Sequence, residues 1–327
     1  KLYESLKMPV AIIDGTLSKV HADAWLSRDS VLNRQAIIKY LDYICRPIGD
    51  EELIPLNQDA VSAMYNTYNK ILSDIKISCI IWSQGQSDFK SIDEKDYYNV
   101  SSAYCYLLSL IFSELTLNNK DCLIYSIQEP FNDASYANTL RLAQAAATYQ
   151  LNSMNIIPTY DLYDKVLVEN PDESKQLELK VTTEEIETES EEDIEVEYNY
   201  VFSYDKYIER IKKVIINTSY ELKKQYLPAS YSNVVATSEV ITLTFTSQLK
   251  DNIEEIDGLF LIDEEGNEIE YTFDIDRNHL YIYPVIEEDV ELSNYTISYG
   301  LNEDIYICNL LSSNDMPVLP FVININE

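Results

Sequence analysis

The side chains that could do acid–base or nucleophilic chemistry are few. The segment Ser83-Gln-Gly-Gln-Ser-Asp88 sets a serine hydroxyl and a carboxylate beside a glycine, just past the apolar run Ile77–Trp82. Serine becomes a nucleophile only when a base within hydrogen-bond reach takes its proton, and histidine is the usual base near neutral pH. The chain holds two histidines, His21 and His279, and neither lies near Ser87 in sequence. Ser87 therefore reads as a turn residue closing a strand, and His279 as the neighbour of a β turn. His21 precedes Ala24-Trp25, and His21 and Trp25 are the candidates for lining a site mouth. Asp161 follows the apolar run Met154–Tyr160 and reads as a strand-end cap.

Metal and redox chemistry find less support. The five cysteines, Cys45, Cys79, Cys105, Cys122 and Cys308, are scattered without a CxxC pair. Three sit in apolar runs, where a thiol behaves as a small hydrophobe. They read as reduced thiols rather than disulfides or metal ligands, so no metal and no cofactor is expected, and a reducing compartment or a virion is the favoured location. With 24 basic against 56 acidic side chains the net charge is −32, which repels a phosphate backbone and argues against nucleic acid as a partner. The longest apolar runs fall far short of the ~20 residues of a membrane span. Glycine is scarce while Ile, Asn, Lys and Tyr are plentiful, the bias of an AT-rich coding sequence.

The elements that must position these groups alternate. Lys1–Met8 reads as the end of a helix stopped by Pro9, and Pro9–Asp14 as a buried parallel strand. Helical spacing over Asp59–Ser73 leads to a strand at Ile77–Trp82. A helix at Tyr97–Leu115, a strand at Cys122–Ile127, a helix at Tyr136–Tyr149 and a strand at Met154–Tyr160 follow. This order predicts an α/β fold with a three-layer, doubly wound parallel sheet and functional groups at the strands' carboxyl ends. Beyond Asp164, Leu177–Val181 and Ile194–Phe202 alternate around a carboxylate-rich stretch, which predicts a β-hairpin with an acidic tip at Glu184–Asp193. A helix spans Tyr204–Gln225, and short period-two runs then predict a C-terminal antiparallel β module. The resulting division is 1–168 for the α/β domain, 169–203 for the acidic hairpin, 204–233 for a last helix of the α/β domain and 234–327 for the β module.

Four segments in order carry a resemblance. Asp59-Ala-Val-Ser-Ala-Met-Tyr-Asn leads into Ile80-Ile-Trp-Ser-Gln-Gly-Gln-Ser-Asp88; Pro9-Val-Ala-Ile-Ile precedes Ala24-Trp-Leu-Ser-Arg28; Leu140-Arg-Leu-Ala-Gln144 precedes Asp161-Leu; and Tyr299-Gly-Leu-Asn precedes Met316-Pro-Val-Leu-Pro-Phe321. Together they resemble the sialate O-acetylesterase family of carbohydrate esterases, within the SGNH hydrolases. The resemblance implies a flavodoxin-like sheet and removal of acetyl groups from sugars by a serine, with a histidine–aspartate pair as base.

Taken residue by residue, the resemblance implies decay. The family's nucleophile lies on a first strand upstream of every segment matched here, and Gln86-Ser87 belongs to a later block. The family's Gly-Gly-Thr is replaced at Ser18-Lys19-Val20, which removes a close backbone approach. The block Gln84, Gly85, Gln86, Ser87 and Asp88 keeps its shape but has glutamine where the family has glutamate. No histidine follows Asp161 until His279. Ser18, Gln84 to Asp88 and Asp161 are thus vestigial site positions, and no catalytic residue is assigned. The leading expectation is a degenerate esterase scaffold, structural or glycan-contacting, in a larger assembly such as a phage virion. Its absent first strand would come from an upstream segment or another chain. A second reading is an active O-acetylesterase whose nucleophile lies on a further N-terminal segment. A third is an assembly module whose acidic hairpin docks a basic partner.

Overall fold

The computed structural model describes residues 1–16, 22–33, 62–85, 97–128, 136–151, 153–167, 181–186, 194–220, 226–237, 239–286, 295–301 and 308–325. Three of the apolar runs form parallel strands, β1 (Cys79–Trp82), β2 (Leu123–Ile127) and β3 (Met154–Ile157), hydrogen-bonded in the order β1-β2-β3. They are separated by long helical crossovers, as parallel pairing demands.

Helices cover both faces of this sheet. Ahead of β1 come α1 (Leu2–Leu6), a 3₁₀ turn at Ala22–Trp25, α2 (Arg28–Asn33) and α3 (Ala63–Asp74). The crossovers are α4 (Tyr97–Leu115) and α5 (Tyr136–Gln150). On α4 the residues Tyr104, Leu108, Ile111, Phe112 and Leu115 recur every three or four positions and are all buried. They share one core with Leu140, Ala143 and Ala147 of α5 and with Ile80, Trp82 and Ile124 of the sheet. The opposite face, Cys79, Leu123, Tyr125, Ile127 and Ile157, packs against Tyr207, Ile211, Val214 and Ile215 of α6 (Tyr204–Ile215). Strand alternation accounts for both sets, since neighbouring residues point to opposite faces.

The run Pro9–Asp14 does not form the expected buried strand. It makes no ladder with β1, and Ile12 is 86% exposed. Apolar composition fits a strand, but burial needs a partner on each side, and among the described residues β1 pairs only with β2.

The acidic stretch is a hairpin, in a register shifted from expectation. β5 (Val181–Ile186) pairs antiparallel with β6 (Ile194–Phe202), Ile186 opposite Ile194, so the connection is 187–193 rather than one starting at Glu184. Residues 177–180 lie outside the described residues. On its other edge β6 pairs with β4 (Tyr163–Leu167), giving a three-stranded sheet that grows directly out of the end of β3.

The C-terminal part holds two antiparallel sheets. One has the order β10 (Tyr271–Asp276), β11 (His279–Pro284), β8 (Ile241–Phe245), β7 (Tyr231–Ala236); the other is β13 (Phe321–Asn324), β12 (Thr296–Tyr299), β9 (Leu259–Ile262). Their alternate residues Ile241, Leu243, Leu261, Leu280, Ile282, Ile297 and Phe321 meet in a common core, the packing of a β-sandwich. Residues 316–319 staple this core to the α/β body. Met316 joins the core under α6, and Leu319 packs on Ala145 and Ile156. Among the described residues no helix is long and apolar enough to cross a membrane.

Candidate functional site

The carboxyl ends of β1, β2 and β3 are where an α/β sheet offers groups to a ligand. At the end of β1 the chain turns through Ser83-Gln84-Gly85. Gly85 is buried with φ +136°, and a Cβ there would lie 2.5 Å from both Cδ atoms of Leu140. Glycine is needed on both counts, for the left-handed backbone and for the close approach of α5. The Tyr104 hydroxyl donates to the Gln84 carbonyl at 3.4 Å, so this turn is tied to α4 as well.

Trp82 anchors an aromatic cluster at the same end. It meets Phe112 edge-on at 5.2 Å and Trp25 edge-on at 5.6 Å, and Trp25 stacks on Tyr68 at 5.4 Å. Trp25 is held there by Glu114 of α4. The carboxylate accepts the Ser27 N–H (2.7 Å) and hydroxyl (3.0 Å) and the Ser30 hydroxyl, fixing the chain just past the 3₁₀ turn. Trp25 is therefore a packed residue with one partly exposed side rather than a free platform.

At the end of β2, buried Gln128 is wired into its neighbours. Its carbonyl accepts the Thr159 hydroxyl (2.8 Å), and its N–H donates to the Ile157 carbonyl (2.9 Å). Gln144 donates to the Ile127 carbonyl (3.1 Å), and fully buried Arg141 donates to Asn138, whose amide reaches the Leu301 carbonyl at 2.5 Å. These side chains satisfy main-chain carbonyls that would otherwise be orphaned at the sheet end.

Past β3 the side chains of Tyr160 and Asp161 part company. Tyr160 enters the core of the β-sandwich and donates its hydroxyl to the Val318 carbonyl. Burial pushes its ionisation well above the usual tyrosine range, and the same holds for Tyr299. Asp161 faces the opposite way, into an ion pair with Arg210 of α6. Arg210 Nη2 donates to Oδ2 at 2.6 Å, Nη1 donates to Oδ1, and Nη1 also donates to the Pro158 carbonyl at 2.9 Å. Both carboxylate oxygens are thus engaged by one guanidinium, whose fork matches their spacing. An open cleft of about 690 Å³ runs beside the pair, lined by Lys213, Tyr226, Asp315 and Met316 among others. Two of its lysines are answered by carboxylates, Lys206 by Asp164 and Lys1 by Glu209, and Lys213 lies over the Tyr226 ring at 5.3 Å.

Gln84, Gly85 and Trp25 thus share the end of β1, while Asp161 stands at the end of β3, two strand spacings or ~10 Å across the sheet. Ser18, His21, Gln86, Ser87 and Asp88 lie outside the described residues. His279 sits within β11, its Nδ1 3.2 Å from the Thr244 hydroxyl on the neighbouring strand, in the β-sandwich rather than at the end of the parallel sheet. Arg210 has no counterpart in the sequence reading. It is one of several charges on the polar side of an amphipathic helix, 49 residues from its partner, with no local motif to mark it. Among the described residues no group of three or more His, Cys, Asp or Glu side chains is placed to hold a metal ion.

No protein-family model matches the chain, and no curated protein matches it. Among solved structures it is similar to the crystal structure of a carbohydrate acetylesterase from Xanthomonas citri, with a TM-score of 0.64 and 14% sequence identity over 99% of this chain. The chain spans 63% of the length of that protein. The likeness shows a shared mixed α/β fold.

Proposed function

We propose that this chain is a catalytically degenerate carbohydrate-esterase-like domain of the sialate O-acetylesterase type, kept as a structural or glycan-contacting part of a larger assembly. The observation that carries this reading is the Asp161–Arg210 pair. An acid that orients a catalytic histidine accepts from that histidine, whereas the partner that Asp161 accepts from is the Arg210 guanidinium. The next histidine in sequence, His279, is built into a β ladder. A guanidinium stays protonated at any working pH and cannot accept a serine proton. Within this reading the α/β domain is 1–168 with the helix of 204–233, the acidic hairpin is 169–203, and the β module is 234–327. The acidic, AT-biased composition favours a virion setting, and the partly exposed side of Trp25 supplies carbohydrate-contacting area.

The test is hydrolysis of 4-nitrophenyl acetate and of an O-acetylated sugar by the purified chain. The expected result is no release of acetate above buffer. Turnover that vanishes in Ser87→Ala would overturn the reading. A second reading, an active O-acetylesterase completed by further polypeptide, is favoured by the 63% coverage of the Xanthomonas enzyme. It predicts turnover once a longer product of the same gene is assayed.

A further inference from the structure

The strand β10 leaves one edge of its sheet open. The Val285 N–H donates to the Glu270 carbonyl at 2.8 Å, so the main-chain groups of Glu270, Thr272 and Asp274 turn toward β11 and its extension. By the alternation of an antiparallel ladder, those of Tyr271, Phe273 and Ile275 point the other way, and among the described residues no strand meets them. This edge is one wall of an open groove of about 960 Å³, and the loop 251–258 is the other. The loop is fixed. Buried Ile256 holds it to the core of the sandwich, and the Asn309 amide donates to the Glu255 carbonyl and to Asp257 Oδ2, each at 2.9 Å. The Tyr271 hydroxyl ties the strand to the residue just past the loop, donating to the Leu259 carbonyl at 3.0 Å. Every charged side chain lining the groove is a carboxylate. Glu254, Glu255 and Asp257 come from the loop and Glu268, Glu270 and Asp274 from the strand side, and among the described residues no Lys, Arg or His lines it. Burial, then Glu255 and Glu268, push the Tyr271 phenol up to about 12, so carboxylates of both walls act on one hydroxyl.

We infer that the groove between β10 and the loop 251–258 docks an extended, lysine- or arginine-rich segment of another protein, which adds a strand to the open edge. Two independent features select this occupant. The first is the main chain. Outward N–H and C=O groups on alternate residues recur every ~6.8 Å, the repeat of an extended strand, and such an edge takes up peptide by main-chain hydrogen bonding. Neither a sugar nor a polyamine carries that repeat of donors and acceptors. The second is charge. Carboxylates on both walls favour cationic side chains, and they repel nucleic acid and a second copy of this chain, which brings −32. Partly buried Ile253, Phe273 and Ile275 also line the groove and offer apolar surface to the alternate residues of such a strand. With its walls already fixed, the groove pays little ordering entropy on binding. It belongs to the β module, so the inference holds whether or not the chain hydrolyses esters and is tested apart from that reading.

The probe is the end-capped, fluorescein-labelled peptide Lys-Val-Lys-Val-Lys-Val-Lys, followed by anisotropy and by amide hydrogen exchange of the full chain. The expected result is saturable one-to-one binding with new protection at Phe273 and Ile275. Exposed Glu254 and Asp274 stand on opposite walls, and Glu254→Gln/Asp274→Asn should weaken binding about tenfold without lowering the melting temperature. The same peptide N-methylated at alternate residues keeps its charge but loses donors, and should bind about tenfold more weakly or worse. Spermine, a polycation without amides, should leave exchange at Phe273 and Ile275 unchanged. Equal binding of the N-methylated peptide or by the double variant, equal protection by spermine, or protection confined to the acidic hairpin or other segments would overturn the inference. So would amides of Phe273 and Ile275 that are already protected in the free chain. Absence of binding would also overturn it, leaving the carboxylates only the task of keeping an exposed edge from pairing.

Discussion

Arg210 holds Asp161 through both of its terminal nitrogens, one of them 2.6 Å from Oδ2, with only 12% and 19% of the two side chains exposed. Removing the cation leaves a largely buried carboxylate without its partner. Arg210→Ala should lower stability by about 2–3 kcal/mol, less than a fully buried pair would cost. Asp161→Asn/Arg210→Gln, which keeps hydrogen bonds and removes both charges, should recover part of that loss. Urea unfolding of the parent and the two variants measures both, and equal stability of Arg210→Ala and the parent would refute the assignment.

Gly85→Ala should be costly for two separable reasons. The backbone at φ +136° is strained for any residue with a Cβ, and that Cβ would collide with Leu140. The combined cost is about 2–4 kcal/mol. Leu140→Ala in the same chain removes the collision but not the backbone strain. The double variant should therefore lose less than the sum of the two single variants, a non-additivity that a thermodynamic cycle reads directly.

Asn119 joins three elements. Its side-chain oxygen accepts the Ile77 N–H at 3.0 Å, and its amide donates to the Leu72 carbonyl at 2.8 Å, tying the loop after α4 to the end of α3 and the start of β1. Asn119→Ala orphans two main-chain groups and should cost about 2–3 kcal/mol. Asn119→Asp, which keeps the acceptor and loses the donor, should fall between. Hydrogen exchange at Ile77 should quicken in the alanine variant.

High pH should unfold the chain through its second core. Burial raises the ionisation of Tyr160 and Tyr299 well above 10.0 and that of Cys308 from 9.0 to about 12. A group whose folded value is raised contributes stability that is whole below its unfolded value and is lost as pH rises toward the folded one. Stability should thus be level up to pH 9 and fall between about 9 and 12. Cys308→Ala should make that fall shallower without moving its onset, because burial also raises Cys105 and Cys122 from 9.0 to about 11. A stability profile flat to pH 12 in both proteins would contradict the burial of these groups.

The three paired parallel strands were legible because Ile77–Trp82, Cys122–Ile127 and Met154–Tyr160 are unbroken apolar runs between helical patterns. Pro9–Asp14 has the same texture and is exposed, because composition reports what a segment can pair with and not whether the partner is there. The hairpin was legible as alternation but not in register, since Leu177 to Phe202 offers period-two residues to more than one alignment. At the site, Gly85 announced itself in the sequence. The Asp161–Arg210 pair did not, for it depends on α6 returning to the end of β3. Tyr160 was equally silent, reading as one more strand residue when its side chain belongs to the other core.

That tyrosine sets how the molecule comes apart. Its backbone continues past β3 of the parallel sheet, its ring is sealed in the core that also holds Ile297, Tyr299 and Phe321, and its hydroxyl is fastened to the Val318 carbonyl while Leu319 returns the contact onto α5. Neither core can open without exposing a buried aromatic of the other. The α/β body and the β-sandwich should therefore melt together in a single transition, with calorimetric and van't Hoff enthalpies in agreement. Cutting the chain near residue 233 would leave Tyr160 as a bare apolar plug on the surface of the body. A protease that nicks the acidic hairpin should, by contrast, leave that shared transition where it was.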